Sequence, residues 1–179
     1  MSSDSLTPFS HVILVLVGES GAGAHDLRRM DERGGRLYWA AAPSQYYAEP
    51  KRLAKLGYLD AHEEPGRTHS RTRYTLTDKG RAALRDWLAT PVGFPRIQHE
   101  AAVRLLVADM ADPAVVRAGL EGLRRELDDL DARLDEAAET GRAFPQRERW
   151  LELNHRLSRR VIQAHREWID EAEKLLEEG

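Results

Sequence analysis

Residues 43–80 read PSQYYAEPKRLAKLGYLDAHEEPGRTHSRTRYTLTDKG, and the pattern of this stretch decides the fold. Ser44 caps or opens a helix, and Gly57 ends it, as glycine does just past a helix C-terminus. Tyr46, Pro50, Leu53 and Leu56 recur at helical spacing and are expected to face a core. Gln45, Tyr47, Lys51, Arg52 and Lys55 then point outward. Tyr58 and Leu59 lead into one strand, and Arg73–Tyr74–Thr75–Leu76–Thr77 alternates like a second, with Pro65–Gly66 as the turn signal between them. Thr77 caps a further helix through Leu84 and Trp87.

A helix with a polar, basic outer face followed at once by a basic hairpin is the layout of a winged helix-turn-helix. Phosphate attraction needs cations gathered on one face rather than a basic chain. Residues 66–81 hold Arg67, Arg71, Arg73, Lys79 and Arg81 against the single acid Asp78, with His69 beside them. Each phosphate neutralised steepens the salt dependence of binding by roughly 0.9 in log–log slope. A solvated hairpin with incidental arginines fits these residues about as well on its own. The helices around it tip the reading toward DNA.

The bulk properties limit the alternatives. The chain has 179 residues, enough for one domain or two small ones, and no cysteine, which excludes disulfides, thiolate metal sites and a cysteine nucleophile. Residues 1–4, MSSD, lack the basic start of a signal peptide, and the apolar run Val12–Val17 is too short to span a bilayer, so a cytoplasmic protein without membrane partners is expected. Residues 1–90 hold 13 Lys and Arg against 11 Asp and Glu, whereas residues 91–179 hold 14 against 19. A mildly basic half is joined to an acidic one. There is no HExxH, no Cys-x-x-Cys and no phosphate-binding loop. Gly18–Gly23 (GESGAG) lacks the lysine of a P-loop and reads as a turn. His155 and His165 stand ten residues apart, which is not a metal-pairing interval. No nucleophile and base are paired, so neither an enzyme nor a cofactor is expected.

Along the chain, Pro8 opens a first helix over residues 6–18, whose β-branched run HVILVLV also fits a buried strand. Gly23–Leu27 starts a second helix through Arg33, stopped by Gly34–Gly35. The run ATPVGFPRI (89–97) carries two prolines and a glycine and supplies a linker at 91–97 between a domain of residues 1–90 and one of residues 98–179. Glu100–Met110 reads as a helix, and Asp112–Pro113 starts another. In that helix Val116, Leu120, Leu123, Leu127, Leu130, Leu134 and Ala137 form a heptad seam. Gly141 and Pro145 mark a turn. The last helix, from Gln146 to Glu177, carries the stripe Trp150, Leu153, Leu157, Val161, Ala164, Trp168, Ala172 and Leu175. Two long amphipathic helices with a short connection pack antiparallel. Each stripe is wide enough to face both its neighbour and a second copy of the chain, and dimerisation is expected through Leu120, Leu123, Leu127, Leu130, Leu134, Leu157, Val161 and Trp168.

An ordered set of motifs resembles the PadR family of transcriptional regulators. The set comprises the opening ILVLV, Gly23–Ala24–His25–Asp26–Leu27, Trp39 ahead of the recognition helix, Ser44–Gln45–Tyr46–Tyr47, Lys51–Arg52–Leu53, Leu56–Gly57–Tyr58–Leu59 and Arg73–Tyr74–Thr75–Leu76–Thr77–Asp78–Lys79–Gly80. The resemblance implies a mainly α fold with a small β-hairpin wing and a C-terminal dimerisation domain of antiparallel long helices. It implies a repressor that binds double-stranded DNA at a pseudo-palindromic operator as a homodimer and is released by a small aromatic or drug-like effector. Ser44, Gln45 and Lys51 then approach base edges, Tyr47 and Arg52 hold phosphates, and Arg67, His69, Arg71 and Arg73 carry the wing. Trp87, Trp150 and Trp168 are candidates for an effector pocket, with core packing as the plainer reading of each. The competing reading is a helical interaction module whose winged head binds a protein. Pro50 departs from the family pattern. An interior proline costs ~3 kcal/mol in an unadapted helix, so a bend or a late helix start is expected.

Overall fold

The computed structural model describes residues 5–32, 38–39, 41–65, 70–141 and 146–178, and the chain divides into two compact units, 1–93 and 94–179. In the first unit, α1 (Pro8–Val17) is followed by β1 (Ala22–Gly23), α2 (Ala24–Glu32), α3 (Gln45–Lys55), β2 (Leu59–Glu64), β3 (Arg71–Leu76) and α4 (Asp78–Leu88). The second unit holds α5 (Glu100–Leu105), a 3-10 turn (Ala108–Met110), α6 (Pro113–Gly141) and α7 (Glu148–Glu178). Among the described residues no helix is long and apolar enough to cross a membrane. The expected turn residues Gly34, Gly35, Gly66 and Pro145 lie outside the described residues.

The β-branched run 11–17 is helical because its start is well capped. Pro8 occupies the first turn, the Thr7 hydroxyl accepts from Ser10 N–H at 3.1 Å, and the Ser10 hydroxyl accepts from Thr7 N–H at 2.8 Å. Helix α3 does not start late; it runs from Gln45 through Pro50 to Lys55. Its entry is wound through i→i−3 bonds from Gln45 N–H to Ala42 C=O (2.9 Å) and Tyr47 N–H to Ser44 C=O (3.2 Å), and the Pro50 ring is fully buried. Burial of the ring offsets part of the cost of the lost backbone bond. The exit of α3 is a Schellman turn. Gly57, at φ +76°, donates to Ala54 C=O (3.0 Å), and Tyr58 donates to Leu53 C=O (2.9 Å).

The wing has a strand that the sequence does not announce. The sheet order is β1–β3–β2, all antiparallel, with Ala22 opposite Tyr74 and Leu59 opposite Leu76. Two residues of the GESGAG turn thus become an edge that ties α2 to the hairpin. Tyr46, Leu53, Leu59, Tyr74 and Leu76 meet Phe9, Ile13, Leu14, Val17 and Leu27 in one core, with Phe9 edge-on to Tyr46 at 5.2 Å.

In the second unit, residues 100–110 are not one helix but α5 and the 3-10 turn, interrupted at Leu106–Val107. Asp112 caps α6, accepting from Ala114 N–H at 2.7 Å. Helices α6 and α7 pack antiparallel around Leu120, Leu127, Leu134, Ile162, Ile169 and Ala172. Ion pairs fix their register: Arg124 with Asp170 (2.8 Å) and Glu173 (3.0 Å), Arg166 with Asp128 (2.7 Å) and Asp131 (3.0 Å), and Arg159 with Asp135.

The α7 seam overlaps the expected stripe at Trp168 and Ala172 and departs from it toward the N-terminus of the helix. On α7, Ile162, Ile169, Ala172, Trp168 and Leu176 pack into the core shared with α6, and Ser158 is buried among them. Ser158 fits the buried seam because its hydroxyl donates to Asn154 C=O at 3.0 Å. Only the N-terminal part of the stripe read from the sequence is about half exposed, with Trp150 at 55%, Leu153 at 47% and Leu157 at 50%, whereas Ala172 is buried.

Gly80 sets a close approach between the wing and α4. A Cβ there would stand 2.2 Å from Tyr58 C=O, whereas one at Gly93 would meet nothing within 4 Å. Gly80→Ala is therefore expected to destabilise the first unit by about 1–3 kcal/mol through overpacking, and Gly93→Ala to leave it unchanged, as measured by chemical denaturation.

Candidate nucleic-acid interface

The outward face of α3 is the first candidate. Opposite Tyr46, Pro50 and Leu53, the helix exposes Ser44, Tyr47, Ala48, Lys51 and Lys55 at helical spacing. The structure brings these five residues onto one stripe. Ser44 stands at the helix start but makes no side-chain cap bond. Gln45 does the capping, its Oε1 accepting from Ala42 N–H at 3.1 Å, so this side chain is partly committed to the helix entry. Lys51 and Lys55 have no ion-pair partner among the described residues.

Arg52, expected to hold a phosphate, is instead an internal residue of the fold. Its Nε donates to Glu49 Oε2 (2.9 Å), its Nη2 to Glu49 Oε1 (2.8 Å) and to the Ser10 hydroxyl (2.9 Å), and its Nη1 to Ser5 C=O (3.4 Å). The reason is geometric. Arg52 lies three residues from Glu49 on the side of α3 that turns toward α1, where a carboxylate and a hydroxyl receive its fork. The Ser10 hydroxyl completes the cluster by donating to Glu49 Oε1 at 2.6 Å.

The wing cations are similarly engaged. Arg73 donates from Nη2 to Ser20 C=O (2.6 Å) and Gly21 C=O (3.3 Å), which ties β3 to the turn before β1. Lys79 donates to Leu56 C=O at 2.7 Å and sits 4.3 Å above the Tyr58 ring, closing the end of α3. Arg81 donates to Leu76 C=O (2.7 Å) and pairs with Glu19 (2.8 Å). Arg71 pairs with Glu64 at 3.1 Å but remains 60% exposed, a surface pair of small net worth that an incoming phosphate can replace. Among the described residues, the cations counted along residues 66–81 are thus largely engaged, by backbone carbonyls at Arg73, Lys79 and Arg81 and by carboxylates at Arg71 and Arg81. Arg67 and His69 lie outside the described residues.

Helix α2 supplies residues that the sequence reading passed over. Arg28 pairs with Glu32 at 2.8 Å and also hydrogen-bonds the Tyr47 side chain, which raises its already high pKa, with the Glu32 bond as the larger cause. Arg29 and His25 are exposed on the same helix. The signal was present in Ala24–His25–Asp26–Leu27–Arg28–Arg29, since the first helix of a helix-turn-helix crosses the phosphate backbone.

The three tryptophans do not converge. Trp87 stacks on His11 in the first unit, with ring centroids 5.0 Å apart. Trp150 and Trp168 lie eighteen residues apart on α7, about 27 Å along the helix, too far to line one small cavity within a chain. Trp168 alone borders an open cleft of about 610 Å³, with Leu105, Pro113 and Leu175. The expected dimerisation set divides too. Leu120, Leu127 and Leu134 are buried by α7 of the same chain. Leu123, Leu130, Val161 and Trp168 are only partly covered, and Leu157 is half exposed.

No protein-family profile matches the chain. Rv1176c, a probable transcriptional regulator of Mycobacterium tuberculosis, is 27% identical over 128 residues, covering 65% of this chain and 67% of that protein. Among solved structures, the PadR-like transcriptional regulator BC1756 of Bacillus cereus aligns with a TM-score of 0.77 at 15% identity, over 96% of this chain and 99% of the other. Bacillus subtilis PadR in complex with operator DNA aligns with a TM-score of 0.74 at 19% identity, over 95% and 98%, and the same PadR has been crystallised with p-coumaric acid.

Burial disfavours ionisation of Glu49, but the hydrogen bonds from Arg52 and Ser10 outweigh it and hold the carboxyl below its ordinary value of 4.5. A lowered carboxyl pKa adds stability above the unfolded value, and that stability is lost as pH falls through the folded one. Glu49→Gln is expected to cost about 1–3 kcal/mol at pH 7 and to lose less than the parent between pH 5 and pH 3, as read from denaturation midpoints across that range.

With its three-stranded wing, exposed α3 face and hairpin of two long C-terminal helices, the chain has the fold of the PadR-like transcriptional regulators.

Proposed function

We propose that this chain is a cytoplasmic DNA-binding transcriptional regulator, a repressor that acts as a homodimer on a pseudo-palindromic operator and is released by a small aromatic effector. The observation that carries this reading is the exposed stripe of α3. It presents a hydroxyl, a phenol and two cations without ion-pair partners among the described residues, on a rigid helix whose opposite face is fully buried. Ser44, Gln45 and Lys51 approach base edges. Tyr47, Lys55, Arg28 and Arg29 meet phosphates, Arg71 exchanges Glu64 for phosphate at the wing, and Arg67 and His69 add to the same contact. A two-fold dimer places two such helices on successive major grooves about 34 Å apart.

The half-exposed stripe Trp150, Leu153 and Leu157 on α7 supports the dimer, because a soluble helix rarely leaves a continuous apolar row uncovered. The cleft beside Trp168 supports an aromatic effector, for which a flat indole is a suitable wall.

The deciding experiment is an anisotropy titration against duplex DNA from immediately upstream of the protein's own gene, at two salt concentrations. Tight, salt-sensitive binding is expected. Lys55→Ala should weaken binding to all sequences and lower the salt slope by about 0.9, whereas Lys51→Ala should relax sequence preference. No binding at low salt would overturn this reading in favour of a winged head that binds protein. For the dimer, Leu157→Asp is expected to give a folded monomer in sedimentation, and Leu127→Asp to unfold the hairpin. A parent-like dimer with Leu157→Asp would rule out this stripe as the interface.

A further inference from the structure

We propose that Ser10, Glu49 and Arg52 form a positioning lock that sets where α3 stands on α1, so that Arg52 serves DNA reading only through that placement. This inference rests on the DNA-binding reading above. All three side chains are committed to one another. The Ser10 hydroxyl donates to Glu49 and accepts from Arg52 Nη2, and it also accepts from Thr7 N–H at the start of α1. One hydroxyl therefore closes the capping box of α1 and anchors α3. Both oxygens of Glu49 are engaged, and its side chain is only 13% exposed. Arg52 Nη1 reaches back to Ser5 C=O ahead of α1.

The cluster brackets the weak point of the helix. Pro50 lies between Glu49 and Arg52 and removes one backbone bond from that turn. Side-chain bonds to α1 brace the turn that the backbone ladder does not. A guanidinium held on both oxygens of a carboxylate is not presented for the same two-pronged grip on a phosphate. Base-edge hydrogen bonds require placement within about 0.5 Å, while phosphate attraction tolerates more. Loosening the lock should therefore reduce the preference for a specific site and leave general attraction to DNA intact.

Arg52→Lys separates the two roles, because lysine keeps the charge but cannot bridge two oxygens. With the upstream duplex and a scrambled duplex of equal length as probes, Arg52→Lys and Ser10→Ala are expected to lower the ratio of the two affinities about tenfold. The salt slope on the scrambled duplex should stay at the parent value. A parent-like ratio in Arg52→Lys, or a slope reduced by about 0.9 in Arg52→Ala, would overturn the lock in favour of a phosphate contact. Hydrogen exchange of the full-length protein without DNA decides the lock even if the DNA reading fails. Ser10→Ala should speed exchange of the amides at 46–55 at least tenfold and leave α6 and α7 unchanged. Unchanged exchange in α3 would overturn it.

Discussion

The face of α3 that carries Tyr46, Pro50 and Leu53 must be covered, and the architecture of the first unit follows from that need. None of the helices α1 to α4 exceeds eleven residues, too short to be stable alone in water. Each holds its conformation by burying one face against the others. Helix α1 covers α3 from one side, with Phe9 edge-on to Tyr46, while Leu59, Tyr74 and Leu76 close the core from the sheet. Because the buried face is fixed by three large side chains, the opposite stripe of Ser44, Tyr47, Lys51 and Lys55 is fixed as well. A reading helix needs this condition: one face immobilised, the other presented.

Charge in this head is used mainly to join its parts. Lys79 and Thr77 satisfy carbonyls at the end of α3, Arg81 and Arg73 tie the wing and α4 to the turn after α1, and Arg52 joins α3 to α1. A count of cations along the sequence therefore overstates the wing's attraction for phosphate. A backbone carbonyl neutralises nothing formally, yet it orients the donor. Among the described residues of the head, Arg29 on α2, Lys51 and Lys55 on α3 and Arg85 on α4 are exposed without an ion-pair partner, and Arg71 keeps only an exposed pair with Glu64.

The second unit makes a related point about apolar residues. Helix α7 carries two adjacent rows, one dense in tryptophan and leucine and one that mixes Ile162 and Ile169 with His155, Ser158 and His165. The second row faces α6. Ser158 fits because its hydroxyl bonds to the preceding turn, and the His165 ring stacks on His99 at 4.9 Å. The N-terminal part of the richer apolar row, Trp150, Leu153 and Leu157, is left half exposed, a disposition suited to a partner helix.

The sequence by itself determined the order and kind of most elements, though it left α1 open to a strand reading and read residues 100–110 as one helix. Local signals carried that information: Pro8 and Thr77 at helix starts, Gly57 at a helix end, the alternation of Arg73–Thr77, and the heptad of α6. It also determined which side of α3 is buried, because Tyr46, Pro50 and Leu53 leave no second choice. The tertiary structure alone decided β1, which exists only because β3 lies beside Ala22 and Gly23. It decided the partners of Arg52, Arg73, Lys79 and Arg81, since an arginine's nearest acceptor is set by chain packing across dozens of residues. It also decided which of two apolar rows on α7 meets α6. Periodicity fixes the angle between residues on a helix but not the rotation of that helix toward its neighbour, which here is set by the core around Ile162, Ile169 and Ala172, with interhelical ion pairs at Arg124, Arg159 and Arg166 along its edges.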